Sequence, residues 1–269
     1  MGRLAQTLGV RGESRCNQMN SKMHTAFDVA EKNGYLPGLR QIAKQSCVPF
    51  WWHGVSSNNE YEILHNGTLC LLDTGSNKIG ITADHVYSEY LRNKQANPDI
   101  VCQIGGSTFV PENRVIDRSS ELDLATFELS DILVAASGGY FHAPRHWPTG
   151  VVTEGDAILL GGYPGLLREE HHATADIPFQ WFAGAATSVS PFNVSLNIDF
   201  KNLHQPLKPN SPLNPQLGGM SGGPVFRLVP DIIEHLELVG FIYEYHESFE
   251  LILARPTICL QSSGQLAQC

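Results

Sequence analysis

The stretch Gly218-Gly219-Met220-Ser221-Gly222-Gly223-Pro224-Val225-Phe226 constrains this chain more than any other. Four glycines around one serine specify a tight turn, because glycine enters positive φ without a Cβ clash. Gly219 and Gly222 leave the backbone free to turn amide N–H groups inward beside the serine. The run Pro224-Val225-Phe226-Arg227-Leu228-Val229 then reads as a strand leaving the turn.

Two architectures present a serine on such a turn. Gly219-Met220-Ser221-Gly222-Gly223 satisfies the Gly-x-Ser-x-Gly elbow of α/β-hydrolases, in which a helix leaves the elbow and the acid and histidine follow. Here a strand follows, and 48 of the 269 residues remain after Ser221. The other architecture has its histidine and then its aspartate upstream. Ile81-Thr82-Ala83-Asp84-His85-Val86 and Leu122-Asp123-Leu124-Ala125-Thr126-Phe127 supply both, in that order, 38 and then 98 residues apart.

Taken together, Gly-x-Ser-Gly-Gly-Pro, Thr-Ala-x-His and Asp-Leu-Ala resemble the three motifs of chymotrypsin-fold, trypsin-like serine proteases of the bacterial type, including the HtrA-like enzymes. The resemblance runs from about residue 60 to 255. It implies an all-β, chymotrypsin-like double β-barrel and peptide-bond hydrolysis through an acyl-enzyme. It also implies a catalytic triad of Ser221 as nucleophile, His85 as base and Asp123 as the group that orients the imidazole. The backbone N–H groups of Gly219 and Ser221 would form the oxyanion hole. Within the same resemblance stands a different reading, a catalytically weak or inactive module that binds peptides or a protein partner by strand pairing along Tyr243 to Tyr245.

The substrate side departs from the family. Pro215 stands where trypsins keep a carboxylate at the pocket floor, so no charge is expected there for a basic substrate residue. Val239-Gly240-Phe241-Ile242 resembles the strand leading to the pocket wall, which makes Tyr243, Glu244 and Tyr245 substrate-binding candidates. Strand alternation puts the two tyrosines on one face and Glu244 on the other. Met220 replaces the aspartate that, in trypsins, pairs with a newly cut N-terminal ammonium. The turn is therefore expected to be ordered by packing of Met220, by the proline-rich approach through Pro206, Pro209, Pro212 and Pro215, or by a partner.

A net charge of −9 gives no basic face for nucleic acid. Residues 1 to 22 contain no apolar core of signal-peptide length, and no uncharged run suits a membrane span, so the expected location is cytoplasmic without membrane attachment. The six cysteines, at 16, 47, 70, 102, 259 and 269, lack Cys-x-x-Cys spacing and the disulfide positions of secreted trypsins, and are expected to be reduced and buried. No cofactor or metal is expected. Pro144 breaks any helix that would align His142 with His146, and the adjacent His171 and His172 point apart. The sequons at Asn66 and Asn193 read as chance. The expected partner is a peptide or protein substrate, with the oligomeric state left open.

The 25 glycines and 16 prolines favour many short strands and turns. Residues 1–58 read as an extension carrying a short helix that ends near Gly34 and further helical turns over Leu39–Gln45. Residues 59–269 read as the two-barrel domain, with barrels over about 59–140 and 151–255 joined by a linker at Gly139–Gly150. Strands are expected over Asn66–Leu72, Lys78–Thr82, Ile100–Ile104, Thr108–Val110, Asp123–Leu129, Ala157–Gly162, Phe179–Val189, Val194–Phe200, Pro224–Val229, Leu236–Tyr245 and Phe249–Ala254, with a helix from Asp84 to about Lys94.

Overall fold

Cys47 lies opposite Cys70, and from that pair two long antiparallel strands, Cys47–Val55 (β1) and Tyr61–Asp73 (β2), form the spine of the first sheet. The computed structural model describes residues 29–55, 61–171, 174–198, 217–229, 235–249 and 251–267. A helix over Leu36–Gln45 (α1) precedes β1, with Pro37 in its first turn and Leu36, Leu39 and Ala43 buried on one face. The helical residues before it end at Gly34, whose φ of 73° is the left-handed stop that the sequence suggests.

Lys78–Thr82 (β3) leads into the helix Asp84–Ala96 (α2). Val101–Ile104 (β4), Ser107–Phe109 (β5), Val115–Ser119 (β6), Leu124–Glu128 (β7) and a short helix Asp131–Ala136 (α3) complete the first half. The seven strands run in the order β5-β4-β1-β2-β3-β7-β6 and curl without closing. Phe50, Trp52, Leu69, Leu71, Tyr90 and Phe127 fill the concave side.

The second half is a closed barrel. Ala157–Gly162 (β8), Gln180–Val189 (β11), Val194–Ile198 (β12), Pro224–Val229 (β13), His235–His246 (β14) and Leu251–Pro256 (β15) close in the order β11-β12-β15-β14-β13-β8. A small hairpin of Glu169–His171 (β9) and Thr174–Asp176 (β10) leaves the rim. The interior holds Ile158, Leu160, Phe182, Leu196, Val225 and Ile252. A third apolar cluster joins the halves: Cys70, Leu72, Ile79 and Ile81 meet Leu159, Phe226, Leu238 and Phe241, and α1 packs on the same cluster. The chain is thus an all-β double-barrel protein with a partly helical N-terminal part.

Several boundaries differ from the sequence reading. β1 lies inside residues 1–58, yet it sits between β2 and β4 in the middle of the first sheet. Its burial alternates between barrel interior and junction rather than between core and water, so the apolar run has no strand period to read. Pro49 is accommodated because the pairing with β4 begins one residue later, at Phe50. β6 and α3 were not expected. Cys47, Cys70 and Cys102 are free and buried, and Cys259 is buried, and among the described residues no helix is long and apolar enough to cross a membrane.

Candidate functional site

Ala83 is extended (φ −72°, ψ 142°), and α2 starts at Asp84, so His85 stands in the first helical turn with its N–H unsatisfied by the helix. That N–H donates to Asp123 Oδ1 at 2.8 Å, and Asp123 Oδ2 lies 2.7 Å from His85 Nδ1. One carboxylate therefore caps the helix and orients the ring. Its negative charge at a helix N-terminus is also favourable. Asp123 has φ +51°, the only positive value at a non-glycine residue among those described. Such a conformation persists where the surroundings hold it.

Asp84 points the other way. Its carboxylate is buried and takes a bidentate pair from Arg118, Nε to Oδ1 at 2.8 Å and Nη2 to Oδ2 at 3.0 Å. The residue between Ala83 and His85 thus anchors the helix to β6.

The serine turn is held from both barrels. Thr68, fully buried in β2, donates its N–H to the Ser221 carbonyl at 3.0 Å and its Oγ1–H to the Gly219 carbonyl at 2.8 Å. Asn66, two residues earlier, is 3% exposed and donates Nδ2–H to the Tyr163 carbonyl at 2.8 Å. A buried, bonded amide is no glycan acceptor, which removes the first sequon. A Cβ on Gly219 would come within 2.6 Å of Asn66 Nδ2 and 2.7 Å of Tyr163 O, and its φ is +96°. Glycine is required there.

Two carbonyls fix where the turn's amides face. The Gly218 carbonyl accepts from Gly165 N–H at 2.7 Å, and the Met220 carbonyl accepts from Gly223 N–H at 2.8 Å. In a trans peptide the N–H points opposite to the C=O. The amides of Gly219 and Ser221 therefore point away from Gly165 and Gly223, and among the described residues neither donates to a protein group. Met220 N–H, between them, is occupied by Leu217 O at 3.1 Å.

His85, Asp123 and Ser221 line one open cleft of about 910 Å³ at the barrel junction. Tyr243, Glu244, Tyr245 and Arg255 form another wall of it. All three of the expected wall residues reach the cleft because β14 is bulged: Ile242 pairs with Ala254 and Glu244 with Leu253, leaving Tyr243 as the extra residue. The simple alternation expected for Tyr243, Glu244 and Tyr245 is broken there. Burial raises the Tyr243 phenol, which stays a neutral donor to Asn193 Oδ1 at 2.9 Å. Among the described residues no hydrogen bond joins Ser221 Oγ to His85. Pro215 and the other three prolines of the approach lie outside the described residues.

Sequence reasoning missed Asn66, Thr68, His65 and Arg255. His65 lies on the cleft wall, stacked on Trp52 with ring centroids 5.4 Å apart. Among the described residues no group of three or more His, Cys, Asp or Glu side chains is placed to hold a metal ion. His146 Nε2 is 3.8 Å from Glu237 Oε1, and His171 Nε2 is 3.5 Å from Asp176 Oδ2, while His172 lies outside the described residues.

Fold and site define an all-β double-barrel chain with a paired histidine and aspartate facing a glycine-framed serine. No family model matches the chain, and no curated protein sequence matches it. Among solved structures, it is similar to a chain from work described as "Aromatic interactions drive the coupled folding and binding of the intrinsically disordered Sesbania mosaic virus VPg protein". That similarity has 14% identity and a TM-score of 0.42, over 78% of this chain and 91% of the other.

Proposed function

We propose that the chain is a serine endopeptidase of the trypsin-like type, acting through an acyl-enzyme. The observation that carries the reading is the double engagement of Asp123 with His85, ring and backbone, on the wall of the cleft that also holds Ser221. With Nδ1–H held by the carboxylate, Nε2 is the imidazole's basic nitrogen. As a peptide carbonyl enters, the Ser221 hydroxyl passes its proton to Nε2 and its oxygen bonds to the carbonyl carbon. The resulting oxyanion takes hydrogen bonds from Gly219 N–H and Ser221 N–H, each worth about 3 kcal/mol in the transition state. The C–N bond then breaks, the leaving amine takes the proton from Nε2, and water cleaves the acyl-serine by the same route. Ser221 and His85 come into hydrogen-bond contact in that complex, as catalytic pairs commonly do when substrate binds.

A binding module without turnover is the competing reading, and the absent Ser221–His85 hydrogen bond is what favours it. Labelling by a fluorophosphonate probe separates the two, because it requires nucleophile, base and oxyanion hole together. The parent chain should label, and Ser221→Ala, His85→Ala and Asp123→Ala should lose most of the labelling. The Ser221→Ala/His85→Ala pair should be little worse than either single change. A parent that binds peptides and does not label would leave the binding module. A cleavage profile on a peptide library should favour uncharged residues before the cut.

A further inference from the structure

Asp123 belongs to the first barrel, and the side chain that grips the chain just before it comes from the second. Arg255, on β15, donates Nε–H to the Leu122 carbonyl at 2.6 Å and Nη2–H to the Glu121 carbonyl at 3.2 Å. Its Nη1 donates to the Phe192 carbonyl at 3.0 Å and to Asn193 Oδ1. The guanidinium carbon lies 4.0 Å from the centroid of the Tyr243 ring. Tyr243 is itself tied to the same Asn193 oxygen. Four donors of a rigid planar fork are thus engaged, and its face is stacked.

These contacts surround the one strained non-glycine residue described. With the carbonyls of residues 121 and 122 held, and Leu122 N–H bonded to Ser119 Oγ at 3.1 Å, the chain enters Asp123 with its direction set. The left-handed φ of +51° then turns the carboxylate onto the backbone N–H and the ring Nδ1 of His85. Relaxing Asp123 into an ordinary conformation would move its carboxylate away from the ring. Such a conformation persists only where the surrounding contacts hold it.

We propose that Arg255 is a positioning residue: reaching across the barrel junction, it holds residues 121–122 so that Asp123 keeps its left-handed conformation and orients His85, while Tyr243 and Asn193 hold Arg255. The proposal rests on reading His85 and Asp123 as the catalytic pair. It also gives Tyr243 a role other than shaping the substrate pocket. A lysine cannot replace the fork, because its single ammonium neither spans two carbonyls in one plane nor stacks as a flat cation.

The test uses the full chain and two readouts. The first is the low-field proton NMR resonance of the His85 ring N–H bonded to Asp123, which requires no turnover. The parent and Asn77→Ala, a surface control, should show it, and Asp123→Ala should lose it. Arg255→Met should lose or broaden it with the fold retained by circular dichroism, and Arg255→Lys should be intermediate. The second readout is fluorophosphonate labelling: its limiting rate should fall about ten- to a hundredfold in Arg255→Met, while the half-saturating probe concentration stays within about threefold. A folded Arg255→Met variant with the parent resonance and parent labelling rate would overturn the proposal. Should Arg255→Met fail to fold, Arg255→Lys decides, and parent-like values in both readouts would overturn it equally. If the parent shows the resonance and does not label, the peptidase reading fails, and the resonance alone still decides the role of Arg255.

Discussion

Thr68 Oγ1 stands between Gly219 and Tyr163, donating to the carbonyl of the first at 2.8 Å and accepting the N–H of the second at 3.0 Å. Its own carbonyl accepts Thr82 Oγ1–H at 2.7 Å, three residues before His85. A single buried threonine thus links the strand that carries the histidine to the turn that carries the serine. Its hydroxyl does work that an isosteric methyl cannot.

Thr68→Val should leave the Gly219 carbonyl and the Tyr163 N–H buried without a partner. Each orphaned group costs about 1–3 kcal/mol. Urea unfolding should show a loss of about 2–6 kcal/mol for the two groups together, and probe labelling should slow by more than the stability loss alone produces. Thr68→Ser keeps the hydroxyl and should restore most of the labelling rate. Equal rates for the valine and serine variants would show that Thr68 does not order the turn.

Asp84 and Arg118 pair a buried carboxylate with an arginine that reaches water, with side-chain exposures of 5% and 40%. Arg118 also lies over the Tyr87 ring, 5.2 Å from its centroid. Arg118→Met leaves the buried Asp84 carboxylate without its arginine and should destabilise by about 1–3 kcal/mol, because water reaching the arginine side screens part of the loss. Adding Asp84→Asn should recover part of that loss. Chemical denaturation of the two single variants and the double variant measures the coupling, and strictly additive losses would mean the two side chains act independently.

The His142 ring packs edge-on against Phe226 at 5.1 Å, and its Nε2 has no partner among the described residues. Burial pushes its pKa down from 6.5 to about 4. The fold therefore favours the neutral ring, and the unfolded chain binds the extra proton between those values. Its contribution, at most about 3 kcal/mol, is fully present above pH 6.5 and is lost as pH falls to about 4. His142→Phe should flatten that part of the stability curve by up to one proton, measured as the slope of unfolding free energy against pH. An unchanged slope would place the titration elsewhere.

The serine turn and the two upstream motifs were legible because each is local: a glycine pattern, a strand ending in Thr-Ala-x-His, an Asp-Leu-Ala strand start. Strands of the second barrel were legible for the same reason. What escaped the sequence is what depends on distant partners. Asn66 and Thr68 look like ordinary strand residues until β2 is placed under the turn, 151 positions away in the chain for Thr68 and Gly219. Arg255 looks like a surface cation, and its partners Glu121 and Leu122 lie 134 and 133 positions away. β1 was hidden by burial on both faces, and the bulge at Tyr243 by the absence of any glycine to mark it.

Met220 bears on how the turn becomes ordered. Its side chain is 1% exposed and lies in the second-barrel cluster with Leu217, Val225, Val239 and Ile242. In the trypsin-type arrangement an aspartate at this place pairs with a new terminal ammonium, and Met220 has no charge to offer one. Apolar packing and the Thr68 bonds already hold the turn on both sides. The uncut chain from Met1 to Cys269 should therefore label with the probe as fast as forms trimmed before Leu36, the first buried residue of α1. Met220→Ala should cost about 2–5 kcal/mol through the cavity it leaves, and should slow labelling by loosening the turn. If only a trimmed form reacted, and acetylating its new amine abolished the reaction, an ammonium would be ordering the turn in place of the packing around Met220.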